Sequence, residues 1–252
     1  IKSFCILKSA LIAFIVISVP VQLSAAGRNS FGFLLLTPGA RSAALGESYA
    51  ALAEGSESVS ANPSGLGFEE RAQVTFHHLN YVEGILFHSL AYLRPMGKGA
   101  WCVQAGYLGV GGIQRTVADP TAADGFRETG EFSTYDMLAS FSFGRTMTRN
   151  FAVGGTLRLA RESLGDTSAN GFAADGGFIY GRKSDPLRVG LALQHLGPKV
   201  KFSGESFDLP RLARLGVALR NSEGIALRWA PRNVLLTGDV VRYFSDGELV
   251  AG

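Results

Sequence analysis

The sequence predicts an all-β fold: a transmembrane antiparallel β-barrel preceded by an N-terminal helical and coil plug. Three observations predict it. From Arg71 onward, apolar and polar residues alternate with period two in segment after segment. Each segment is about ten residues long, enough to cross a bilayer at a tilt and longer than the strands of a typical soluble sandwich. The polar faces of these segments carry charges, which are costly in a dry core but solvated in a barrel lumen. Composition agrees. Hydrophobic residues make up 46% of the chain, yet beyond the N-terminal run no apolar stretch reaches the roughly 18–20 residues of a spanning helix, so a membrane location requires strands. Glycine, 32 of 252 residues, exceeds the usual share of about 7% and suits turns and strand glycines.

Residues 1–26 read as a cleavable signal peptide. Lys2 and Lys8 supply the positive start, residues 10–19 (ALIAFIVISV) the apolar core, and Ser24-Ala25-Ala26 the small residues before a cut after Ala26. The implied location is the outer membrane of a Gram-negative (diderm) bacterium. Residues 27–70 form the plug. Within them 39–68 is small and rich in Ala, Gly and Ser. Ala43, Ala44, Leu45, Tyr49, Ala50 and Leu52 can share a helical face, which predicts a short helix or two over 41–53. Asn62-Pro63 initiates a turn and Gly65 tolerates positive φ.

Residues 71–252 supply about nine strands. Over 133–144, Tyr135, Met137, Ala139, Phe141 and Phe143 oppose Thr134, Asp136, Ser140 and Ser142. Over 151–162, Phe151, Val153, Leu157 and Leu159 oppose Thr156, Arg158 and Glu162. Over 187–196, Leu187, Val189, Leu191 and Leu193 oppose Arg188, Gly190 and Gln194. Over 211–220, Leu215, Val217 and Leu219 oppose Arg214, Gly216 and Arg220. The segments at 73–81, 85–94, 100–108, 171–181 and 234–244 alternate less cleanly. Asp136, Arg158, Glu162, Asp175, Arg188 and Arg214 are predicted to face the lumen, where Asp136, Glu162 and Asp175 could meet as paired carboxylates and the plug's Ser and Glu residues could meet the arginines. Aromatics near segment ends, such as Tyr81, Tyr92, Trp101, Tyr107 and Tyr180, suit interfacial girdles. Short turns at 95–98, 147–150 and 183–186 alternate with longer loops at 109–131, 161–170 and 197–210, the arrangement of outer-membrane barrels. A soluble periplasmic β-protein would instead put the apolar face inside.

The residues suggest no catalysis, no cofactor and no metal. Of the two cysteines, Cys5 lies in the signal and Cys102 in a strand without a positioned base. His77, His78, His88 and His195 form no helical ligand motif. The glycines at 109–112 lack the Lys-Ser/Thr of a phosphate loop. A net charge of +3 with scattered Lys and Arg argues against nucleic acid.

The plug carries Gly39-Ala40-Arg41, Leu45-Gly46, Ala51-Leu52-Ala53 and Asn62-Pro63-Ser64-Gly65-Leu66. This block resembles the N-terminal signature of the PorV/PorQ family, relatives of the FadL-type outer-membrane barrels. The stretch from Leu187 to Gly197, and Leu209-Pro210 with Arg214-Leu215-Gly216-Val217-Ala218, resemble two of the family's strands. His195 stands where the family more often has Asn. The resemblance spans essentially all of the mature chain. It implies a barrel of about 14 strands with a hatch at Gly39, Ala40, Arg41, Gly46, Asn62, Pro63, Gly65 and Leu66, so further strands are expected beyond residue 252. It also implies a non-enzymatic role in type IX secretion, in contact with outer-membrane lipid, secretion components or exported cargo. The alternative is FadL-like transport of a hydrophobic ligand such as a long-chain fatty acid or an aromatic hydrocarbon.

Overall fold

The computed structural model describes residues 29–122, 124–202, 204–220 and 234–244. The expected export signal lies outside them. Among the described residues the fold is mostly antiparallel β-sheet. Nine strands form one sheet in sequential order: β1 (Gln73–Asn80), β2 (Leu86–Met96), β3 (Gly99–Ala118), β4 (Phe126–Thr148), β5 (Phe151–Leu164), β6 (Thr167–Tyr180), β7 (Leu187–Leu196), β10 (Arg211–Arg220) and β11 (Leu235–Phe244). A small hairpin, β8 (Val200–Phe202) with β9 (Glu205–Phe207), interrupts the series between β7 and β10.

Period-two burial follows the expected parity. On β5, Leu159 is 63% exposed while its neighbour Arg158 is 2% exposed. Across the sheet one face presents Val74, Phe76, Leu90, Phe141, Leu157 and Val240 outward. The other buries Gln104, Ser142, Thr156, Arg158, Arg188 and Arg214. This inverts the distribution of an ordinary soluble domain.

Two expectations about connections are corrected. Most of 109–131 is strand. Gly111 and Gly112, inside the expected loop, are absorbed as a bulge between the pairs Val110↔Thr134 and Ile113↔Phe132, with Gly112 at φ 72. The loop shrinks to 119–125, and β3 and β4 run far past ten residues as a paired extension. The expected loop at 161–170 is a two-residue turn with Gly165 at φ 55 between paired Leu164 and Thr167. The longer connection expected at 197–210 does join β7 to β10, and it carries the β8–β9 hairpin.

The N-terminal segment is mostly irregular. Among the described residues its α-helical turns are α1 (Ala40–Ala44) and α2 (Ser58–Ala61), with 3₁₀ turns over Gly32–Leu35, Gly55–Glu57 and Pro63–Phe68. The helix expected over 41–53 stops early, because Gly46 and Glu47 both adopt left-handed φ, 60 and 62. The expected shared face also fails: Ala43 and Ala44 are exposed while Ser42 is buried.

This segment touches both edge strands. Ser56 Oγ donates to Thr75 of β1 at 2.8 Å, and the Ala50 N–H donates to Asp239 of β11 at 2.9 Å. Six residues of chain reach at most about 22 Å. Nine strands laid flat would separate β1 from β11 by about 38 Å. Even with side-chain reach added, the sheet must curl around the segment.

Candidate functional site

An irregular segment leaves its backbone N–H and C=O groups without ladder partners, and burial makes each unpaired group costly. The sheet supplies those partners from its polar face. Arg158 Nη2 donates to the Val59 carbonyl at 2.5 Å and Gln194 Nε2 to the Ser60 carbonyl at 2.8 Å. Arg214 Nη1 donates to the Glu47 carbonyl at 2.6 Å, and Thr237 Oγ1 to the Ser48 carbonyl at 3.0 Å. Asp239 Oδ2 accepts from the N–H groups of Tyr49 and Ala50, both at 2.9 Å. Glu162 Oε2 accepts from the Phe31 N–H at 2.6 Å.

The buried arginines are each paired. Arg158 meets Asp175 at 2.6 Å, with both side chains almost fully buried. Arg188 meets Glu54 of the segment at 2.9 Å, and Arg214 meets Asp239 at 3.6 Å. Five of the six residues predicted for this face therefore line the contact with the segment, directly or through a partner. The expected carboxylate trio does not assemble. Asp136 pairs in register with Glu162, but Asp175 turns to Arg158 and to the His195 N–H, at 2.7 Å for each hydrogen bond. Of the three arginines, only Arg188 meets a segment carboxylate; Arg158 and Arg214 meet backbone carbonyls.

Asn62 is the hub of the segment and is fully buried. Its side-chain amide donates to the carbonyls of Ala50 (3.0 Å), Phe178 of β6 (3.1 Å) and Leu191 of β7 (3.3 Å). Its Oδ1 accepts from the Ser64 N–H and hydroxyl, capping the 3₁₀ turn that Pro63 opens. One amide thus ties two strands to two parts of the segment.

The motif glycines allow close approach. A Cβ at Gly39 would overlap Glu57, and one at Gly65 would overlap the Ala53 carbonyl. Leu66 packs with Val59, Ala91, Leu93, Ala100 and Cys102. Arg41 pairs with Glu54 at 2.8 Å, while Ala40 opens α1 and Gly46 ends it.

Sequence reasoning put Gly190 and Gly216 on the polar face but did not foresee that strand glycines form one row beneath the segment. Gly144, Gly154 and Gly177 pair across β4, β5 and β6, and Gly190 pairs with Gly216 across β7 and β10. A Cβ at Gly154 would meet the Pro63 carbonyl group and Ser64 N, one at Gly177 the Asn62 side chain, and one at Gly190 the Ala50 carbonyl. The backbone of the segment therefore lies directly on the backbone of the sheet. The available signal was parity: these glycines fall at the positions whose neighbours are Ser142, Arg188 and Arg214. Asp239, which was missed, lay in a noisy strand; Glu54 was anticipated only as one of the segment's glutamates that could meet the arginines.

His195 sits at φ 58 in a bulge opposite Asp175, with its ring Nδ1 3.0 Å from the Pro210 carbonyl. Asn, Asp and His adopt this left-handed region most readily among non-glycine residues, which gives a backbone reason for His or Asn at this position. His195→Asn is expected to retain stability, whereas His195→Val should lose about 1–2 kcal/mol or more. Denaturant midpoints of the two variants check this.

Burial opposes ionisation of Glu54. The Arg41 hydrogen bond and the charges of Arg41, Arg188 and Lys183 outweigh it and hold the carboxyl below its ordinary value of 4.5. Its folded value being the lower one, this stabilisation is full above 4.5 and is lost as pH falls through the folded value. Protease protection of residues 39–68 should weaken under that acidification, and Glu54→Gln should abolish this part of the pH dependence. Burial pushes the Tyr49 phenol up to about 12, so it remains neutral. Comparison with known protein families and with curated proteins finds no match for this chain.

Proposed function

We propose that this chain forms part of an outer-membrane β-barrel of the PorV/PorQ type, non-enzymatic and associated with type IX protein secretion. Residues 27–70 are its hatch, and the charged face of the sheet is its lumen wall. The observation that carries the membrane reading is the inverted exposure: apolar side chains outward on every strand of the sheet, with paired arginines and carboxylates inside. Contact with lipid makes such an outer face favourable. Two aromatic pairs support it. Tyr92 and Trp101 meet edge-on near the turn at 97–98, and Tyr107 stacks with Tyr135 toward the opposite rim. The secretion role rests on the resemblance of the N-terminal block and of the strands at 187–197 and 209–218.

FadL-like transport needs an apolar route past the hatch. Two cavities beside the segment, of about 680 and 280 Å³, are lined mainly by charged and polar residues, which favours the secretion reading. The protein is expected to stay in carbonate-washed membranes, to need detergent for release, and to bring secretion components or exported cargo with it in a pull-down. Release without detergent would overturn the barrel. A detergent-soluble protein that recovers fatty acid and no protein partner would favour transport.

A further inference from the structure

We propose that the cleft at the short-turn rim binds an acidic polypeptide segment. Four chain segments build it. The end of the N-terminal segment supplies Phe68, Glu69 and Arg71, and the turns at 97–98, 149–150 and 181–186 supply Lys98, Arg149, Arg182 and Lys183. Backbone hydrogen bonds fix the turns: the Thr146 N–H donates to the Lys98 carbonyl and the Gly181 N–H to the Asn150 carbonyl, both at 2.8 Å.

Five cationic side chains and the two carboxylates of Glu69 and Glu70 line the cleft, a net charge of +3. Glu69 already bonds Lys183 at 2.7 Å and accepts from the Gly55 N–H. Arg71, Lys98, Arg149 and Arg182 make no side-chain ion pair among the described residues. Cations with no ion pair among the described residues, gathered around one concavity, favour an anionic guest.

Size and position select among anions. At about 680 Å³ the cleft has the volume of a site for an extended ligand rather than a single small ion. Its cations come from four separate stretches of chain rather than from one anion-binding loop, which suits a guest that spans several of them. Its floor is the N-terminal segment, on the polar face of the sheet and away from the apolar face that exposes Phe141 and Leu157. An anionic lipid headgroup would be met at the outer edge of this rim, beside Tyr92 and Trp101, rather than over the N-terminal segment. Under the proposed barrel reading this rim faces the periplasm, so the guest belongs to a periplasmic protein. The binding chemistry itself requires only the cleft.

The test uses detergent-purified full chain and a fluorescein-labelled hexa-aspartate peptide, with inorganic phosphate and anionic phosphatidylglycerol vesicles as separate probes. Saturable peptide binding is expected, weakening as salt shortens the screening length from about 30 Å at 0.01 M to about 10 Å at 0.1 M. Arg149→Glu and Arg182→Glu should each weaken it about tenfold. Arg161→Glu, the same charge change on the opposite rim, should leave it unchanged. Equal loss in all three variants, phosphate competing as strongly per molecule as the peptide, or binding to vesicles alone would each overturn the proposal. Peptide binding by a protein that leaves membranes without detergent would keep the cleft and sink the barrel.

Discussion

Gly190→Val is expected to lift the N-terminal segment from the sheet. A side chain there collides with the Ala50 carbonyl and comes within 2.9 Å of the Ala51 Cα. Both obstacles are backbone, so no rotamer change relieves the overlap. Overpacking usually costs about 1–3 kcal/mol, and a clash between two main chains belongs at or beyond the upper end. Gly154→Val should act alike, through Pro63 and Ser64. Gly176→Val is the matched control, because a Cβ at Gly176 meets nothing within 4 Å and valine suits a strand. Limited proteolysis of detergent-purified protein reads the result. The first two variants should be cut rapidly within residues 39–68, and the control should resist like the parent. If all three resist equally, the segment is not seated on the glycine row.

Removing Arg158 should be the most damaging loss of a charged side chain. Arg158→Leu leaves the Asp175 carboxylate buried and uncompensated and takes away the donor to the Val59 carbonyl. Breaking one partner of a buried pair costs about 3–5 kcal/mol. Replacing both partners avoids the stranded charge, so Arg158→Leu with Asp175→Leu should recover part of that loss. Recovery stays incomplete because the His195 N–H then loses its acceptor. Guanidinium unfolding of the parent, the single and the double variant separates the terms. A double variant whose loss equals the sum of both single changes would show that these residues act through separate contacts rather than as a pair.

Much of the sheet was legible because alternation is a local property. Arg158 beside Leu159 already fixes which side of β5 is polar, and the same parity held through β4, β7 and β10. The strand extents were not legible. Gly111, Gly112 and Gly165 fell inside expected loops, since a sequence does not reveal that a facing strand will absorb a glycine as a bulge or a tight turn. The N-terminal segment was half legible. Its small residues and Asn62-Pro63 marked it as something that packs closely, and helical periodicity then misled at Ala43 and Ala44. Periodicity assumes that the helix continues, and two successive left-handed residues, Gly46 and Glu47, end it.

The sequence by itself determined the strand class, the polar and apolar faces, and the division between an irregular N-terminal segment and the sheet. These depend on residue type and spacing alone. Only the tertiary structure decided what meets across the polar face. Asn62 reaching Phe178 and Leu191, Arg188 choosing Glu54, Asp239 capping Tyr49 and Ala50, and glycines of five strands forming one seat all join residues more than a hundred positions apart or on separate strands. Pairings of that kind follow from register and curvature. Those are set by the whole sheet at once, and no stretch of the chain encodes them alone.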